Sequence, residues 1–218
     1  MGPVNPDDKA AKQPVSEYQR WEARFRTPDY VFGREPNYFL ASCKALLPKS
    51  GRALAVADGE GRNGVWLAEQ GLDVLSIDFS PAAQEKAKAL ARERGVGIAV
   101  EPADVHSWDY PEAGFDVVCE IFTQFSSPAE RAKKWAGMIK ALKPGGLLIL
   151  MGYTPKQLQY GTGGPKEIEN LYTRAMLEET FKNFHDVTFV EEEVEMHEGT
   201  SHAGLSAVIG MTARKNGA

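Results

Sequence analysis

The sequence predicts an α/β fold: one doubly wound sheet of seven strands, mostly parallel, closed by an antiparallel C-terminal hairpin strand. Three observations carry that expectation. The run Ala53–Ala57 is apolar and the length of one buried strand, and Asp58-Gly59-Glu60-Gly61 follows it as a turn. Beyond the turn, Val65, Trp66, Leu67 and Ala68 offer a helical apolar face that stops at Gly71. Strand and helix then alternate, and the chain ends in two long strand-like runs, around 187–196 and 203–213, joined by the short segment 197–202.

The remaining elements follow in order. Residues 1–15 are polar and proline-bearing, which predicts a flexible tail ahead of one domain over 16–218. A short helix over 16–25 puts Tyr18, Trp21 and Phe25 at helical spacing, either packed on the core or laid as a lid over a ligand. A loop spans 28–36, and a helix spans 37–47 until Pro48 stops it. Leu72–Asp78 is the second strand, and Ser80-Pro81 supplies the cap and first residue of a helix that ends at Gly95. A short third strand covers 97–101, and Phe115–Phe122 is apolar enough to be a central fourth. A basic amphipathic helix follows over 128–142. Lys143-Pro144-Gly145-Gly146 turns into a fifth strand, and a further helix is expected over 167–181.

Composition narrows the function classes. A net charge of −5 argues against a broad nucleic-acid footprint, and no apolar run approaches a membrane span. The expected partner is therefore a small molecule, with no nucleic acid and no membrane. Two cysteines, Cys43 and Cys119, are too few for a disulfide framework, so a reducing cytoplasm is the expected compartment. No cluster of ligating side chains completes a metal site.

The glycine turn supports two chemistries. Gly59, Gly61 and Gly64 spell G-x-G-x-x-G, with Asp78 about 20 residues on from Gly59, as a dinucleotide site would need. Asp78, at the carboxyl end of the second strand, is also placed to accept hydrogen bonds from both ribose hydroxyls of any nucleoside. Asp104 of Ala103-Asp104-Val105 would either meet an adenine amino group from the same sheet edge or stand as a surface turn aspartate, and Glu120, near the end of a buried strand, needs a partner or a polar ligand. The closing hairpin favours a different fold from that of a dinucleotide enzyme, which would continue with a second parallel half.

Ala57-Asp58-Gly59-Glu60-Gly61-Arg62-Asn63, Ile77-Asp78-Phe79-Ser80, Ala103-Asp104-Val105 and Leu142-Lys143-Pro144-Gly145-Gly146 resemble successive motifs of the class I S-adenosylmethionine (SAM) methyltransferases, which are Rossmann-like. The Glu60-Gly61-Arg62-Asn63 turn, Tyr160-Gly161-Thr162-Gly163-Gly164-Pro165 and the His197–His202 segment are similar to those of the small bacterial TehB-like group of tellurite-resistance and thiopurine-type enzymes. The resemblance implies transfer of a methyl group from SAM to a small acceptor, leaving S-adenosylhomocysteine (SAH). It implies that Asp58, Gly59, Glu60, Gly61 and Asn63 line the methionine and ribose portion. Asp78 and Phe79 would hold ribose and adenine, Asp104 and Val105 the base, and Glu120 and Ile121 would border the methionine end. Two positions depart from the family pattern. Its usual first acid and first glycine are both alanine here, Ala55 and Ala57, so Asp58 or Glu120 would have to substitute for the acid.

A soft acceptor such as a thiol, selenium or tellurium species needs no catalytic base, whereas a hydroxyl or amine would use one. His197 and His202 are the candidates, with Tyr30, Tyr153 and Tyr160 as further substrate contacts; two histidines in a turn are also read as simply solvated. Two alternatives stay open: a SAM or SAH binder with weak or lost catalysis, and an NAD-binding oxidoreductase.

Overall fold

The computed structural model describes residues 16–199 and 202–217; the flexible tail expected over 1–15 lies outside them. Seven strands form one sheet: β1 Arg52–Val56, β2 Asp73–Asp78, β3 Ala99–Pro102, β4 Phe115–Ile121, β5 Leu142–Tyr153, β6 Phe184–Glu198 and β7 His202–Lys215. Their spatial order is β3-β2-β1-β4-β5-β7-β6. β1 to β5 are mutually parallel, and β7 runs antiparallel between β5 and β6. The chain leaves β1 toward β2 on one side and returns as β4 on the other, so the sheet's switch point lies at the carboxyl ends of β1 and β4, where open α/β sheets bind ligands.

Among the described residues six α-helices flank the sheet: α1 Glu17–Phe25, α2 Tyr38–Ser42, α3 Arg62–Glu69, α4 Pro81–Arg94, α5 Pro128–Ala141 and α6 Arg174–Thr180. Their ends are set by side chains. Ser80 caps α4 through the Ala83 N–H with Pro81 next, and Gly95 closes that helix in the left-handed region at φ 70°. Ser16 with Gln19, and Ser127 with Glu130, form reciprocal capping boxes on α1 and α5.

Both sheet faces are covered, which is why the central strands read as continuous apolar runs. Leu54, Val118, Leu148 and Leu150 face Trp135, Met138 and Tyr172 on one side. Ala53, Val117, Cys119 and Ile149 face Phe39, Leu40 and Leu67 on the other.

The structure departs from expectation in three places. The helix expected over 167–181 is helical only in α6, after a 3-10 turn at Ile168–Asn170. Between them, the Tyr172 N–H donates to the Tyr153 carbonyl at 2.9 Å and the Tyr172 ring is fully buried, so tertiary burial overrides the helical pattern. The segment expected as a helix over 37–47 divides into α2 and a 3-10 turn, Cys43–Leu46. β5 begins at Leu142 directly after α5, and the Lys143–Gly146 segment lies opposite a register shift between Phe115 and Val117.

Candidate active site

The strand ends at the switch point open into a cavity of about 540 Å³, within the usual range of ligand sites. α1 roofs it with Arg20, Trp21, Arg24 and Phe25.

The glycine turn is built around Asp58. Its carboxylate accepts from the Gly64 N–H at 3.2 Å and from Ser76 Oγ at 2.9 Å. A Cβ on Gly64 would lie 2.4 Å from Asp58 Oδ2 and 3.5 Å from the Ala55 methyl. Asp58 and the Ala55 methyl thus both approach Gly64, and Asp58 bonds an N–H of the first turn of α3. Gly61 caps α3 at φ 86°, and a Cβ there would fall 2.5 Å from that of Ala87; this glycine lets α3 and α4 touch. Ala57 sits at φ 48° and Phe122, at the end of β4, at φ 55°, both facing the cavity. These left-handed, non-glycine residues mark strain where β1 and β4 end.

Asp78 is 6% exposed. Its Oδ2 accepts the Gly59 N–H at 2.9 Å and its Oδ1 the Ser80 N–H at 2.8 Å. Burial raises this carboxyl to about 6, with Glu22 of α1 adding to the rise against its hydrogen bonds. Burial likewise raises Asp58 to about 7, with the charge of Asp78 contributing. Two acids poised near neutrality therefore face one cavity.

Of the residues expected to form the site, Asp58, Gly59, Asn63, Asp78, Phe79, Ile121, Tyr153 and His202 line this cavity. The others do not. Glu60 is buried away from the cavity, where it accepts the Val31 N–H at 2.8 Å and pairs with Lys86 at 2.7 Å, so it holds a loop in place of a ligand. Gly61 serves helix packing, as above. Tyr30 donates to the Lys86 carbonyl at 3.0 Å on the α4 side. Asp104 is exposed and closes its own turn through the His106 N–H at 3.0 Å; His106 in turn meets Ser126 Oγ at 2.7 Å. Val105 packs in the core. Glu120 alternates with Cys119 and Ile121, so it points to the opposite sheet face. There it is fully buried against Lys134 at 2.6 Å, Trp135 Nε1 at 2.9 Å and the Tyr172 hydroxyl at 2.9 Å. Tyr160 is half-buried and pairs with Glu193, and His197 is exposed on β6 opposite Ala203.

Several cavity residues were not anticipated: Arg24, Phe32, Phe122 and Phe125 line it, and Glu198 backs it. Phe122 and Phe125 directly follow the fourth strand, the sheet edge where a ligand is expected, and that position was their signal. The proposed lid helix is partly both of its readings, since Phe25 is buried and Trp21 faces the cavity.

Residues 53–146 match the family described as "Methyltransferase domain". A demethylmenaquinone methyltransferase of Deinococcus radiodurans is 32% identical over 117 residues, 53% of this chain and 48% of that protein. The chain spans about half the length of the curated relatives it matches, or less. Among solved structures, TehB from Haemophilus influenzae superposes with a TM-score of 0.67 at 15% identity, over 91% of this chain and 67% of that one. A structure described for conversion of a disulfide bond into a thioacetal group during echinomycin biosynthesis superposes with a TM-score of 0.72 at 17% identity, over 92% and 93%. The matched segment runs from β1 through the glycine turn, Asp78 and α5, so residues 53–146 match a methyltransferase domain, and the sheet is that of the class I methyltransferase fold.

Proposed function

We propose that this protein is a SAM-dependent methyltransferase acting on a small-molecule acceptor. The observation that carries the reading is the juxtaposition of Asp58, Gly59, Asp78 and Phe79 at one end of the cavity, at the switch point of the sheet. These groups fit the parts of the cofactor. Asp78 would accept from the ribose hydroxyls, Phe79 would lie against the adenine, and Asp58 would meet the methionine ammonium in place of an acid at 55. The cofactor, when bound, supplies a methyl group already activated by a sulfonium charge. The chain's own task is then to orient donor and acceptor and to keep water out, which the α1 roof serves.

The literal G-x-G-x-x-G spacing supports a dinucleotide less well. A pyrophosphate needs free N–H groups at the helix start, and the Asp58 carboxylate already occupies the Gly64 N–H. A binder without catalysis would rest on Ala55 and Ala57; an Asp58 carboxylate that lines the cavity speaks for a retained ammonium site. A cavity of about 540 Å³ favours a small acceptor, and two buried free cysteines fit a reducing compartment such as the cytoplasm. Among the described residues no helix is long and apolar enough to cross a membrane.

Thermal melts with SAM, SAH and NADH test the reading. SAM and SAH are expected to raise the midpoint by several degrees, on the order of the linkage expected at ligand concentrations well above Kd, with NADH leaving it unchanged. The reverse pattern would overturn it.

A further inference from the structure

Much of the cavity is walled by rings. Trp21, Phe32, Phe122, Phe125, Tyr153 and His202 line it. His202 is 7% exposed and packs between Phe32 and Phe122, with ring centroids 4.4 and 4.5 Å away. Its Nδ1 has no hydrogen-bond partner among the described residues and lies 3.7 Å from Glu198 Oε2. Glu198 cannot easily swing away. Arg62 holds its Oε2 at 2.7 Å, while Asn37 Nδ2 and the Tyr38 N–H hold its Oε1 at 2.9 and 3.2 Å. Tyr153 Oη is a second buried polar atom in this wall without a hydrogen-bond partner among the described residues. Arg24 spans the Trp21 and Phe32 rings at 5.1 and 5.3 Å and has no carboxylate partner among the described residues.

Resting on the reading that this cavity binds SAM, we propose that the acceptor is a planar aromatic compound bearing an ionisable hydroxyl, and that His202, backed by Glu198, is the base that takes its proton. The rings form a slot for a flat apolar body. In the step, the hydroxyl proton passes to His202 Nε2 and an oxygen lone pair forms the bond to the methyl carbon. The methyl–sulfur bond breaks and its electron pair stays on sulfur as the thioether. The imidazolium is stabilised by Glu198 and returns its proton to water. Tyr153 Oη and Arg24 are placed to steady the developing phenolate.

Burial holds the imidazole below its ordinary value, so it is neutral and able to accept a proton at pH 7. Glu198 from β6 opposes that shift, whereas Arg62 from α3 and Arg24 from α1 reinforce it. Tyr153 faces it from β5, and the flanking Phe32 and Phe122 carry no charge.

The test uses the full chain with 1-naphthol and 4-hydroxyquinoline as probes, against 2-mercaptoethanol and selenite. Calorimetry with SAH comes first, then 1-naphthol is titrated into the SAH complex, and SAH release is followed with each acceptor. The expected result is methylation of a hydroxyarene. His202→Gln should bind 1-naphthol within about threefold of wild type yet lose at least ~10²-fold in kcat, with KM little changed. The wild-type rate should rise with pH through the His202 titration seen by NMR, and Glu198→Gln should move that titration down. Turnover of selenite or the thiol but of neither hydroxyarene overturns the proposal while leaving the methyltransferase reading intact, as does a fully active His202→Gln. Loss of binding and turnover together in that variant makes His202 structural and also overturns it. No heat with SAH removes the methyltransferase reading, and the inference with it.

Discussion

Two acids at the centre of the sheet meet opposite fates. Glu120 on β4 pairs in register with Val56, and Asp58 follows Val56 by two residues. Behind the sheet, Glu120 is enclosed by Lys134, Trp135, Tyr172 and Thr123, a network with every partner supplied by the chain. Before it, Asp58 and Asp78 keep hydrogen bonds to backbone but have no cation within ion-pair distance among the described residues, and both carboxyls are raised toward neutrality. Burial alone does not mark a functional acid, then. The acid whose charge the fold completes is scaffold, and the acid whose charge it leaves open to a cavity is poised for a ligand.

The largest effect that would break this contrast is on the scaffold side. Lys134→Met leaves Glu120 charged and unpaired, and should cost about 3–5 kcal/mol of stability in urea unfolding. Adding Glu120→Gln should recover a large part of that. A single variant losing under about 1 kcal/mol would mean the network is not closed.

A smaller loss is expected at the turn. Gly61→Ala must place a methyl 2.5 Å from that of Ala87 at φ 86°, and should cost roughly 2–3 kcal/mol by the same measurement.

On the cavity side the signs reverse. Both aspartates have an ordinary carboxyl value of 3.8, against about 7 for Asp58 and about 6 for Asp78 in the folded protein. The folded state therefore binds more protons between those values, so their contribution to stability is present at low pH and is lost as pH rises through 6 and 7. Urea melts from pH 5 to 8 should show Asp58→Asn gaining on wild type toward pH 8, on the order of 1 kcal/mol. A variant equally destabilised at every pH would give Asp58 a purely structural role.

The smallest change is Ala57→Gly. Relieving the left-handed alanine at φ 48° should stabilise by up to about 1 kcal/mol, a rise in Tm of a few degrees. SAH affinity should hold or improve.

The same contrast explains what could be read from the chain. The glycine turn, Asp78 with its Ser80-Pro81 cap, and the closing hairpin are local signals, carried by residues near one another in sequence, and the structure has all of them. Glu120 was legible as a buried acid needing a partner, but its face is set by the two-residue alternation of β4. Its partner Lys134 lies on α5, which the pattern marks only as a basic amphipathic helix. Asp104 sits at the expected sheet edge but its carboxylate is taken by its own turn. The aromatic wall was least legible. Its rings come from α1, the loop after it, the end of β4, β5 and β7, and only the folded sheet brings them together.

The most direct test of the central claim is isothermal titration calorimetry with SAH at pH 8, comparing wild type with Asp78→Asn. The account predicts one-to-one binding in the micromolar range, weakened by at least ~10-fold in the variant, on the order of a lost charge-assisted hydrogen bond. Absence of binding to wild type, or equal affinity in both proteins, would contradict the placement of the cofactor at Asp78.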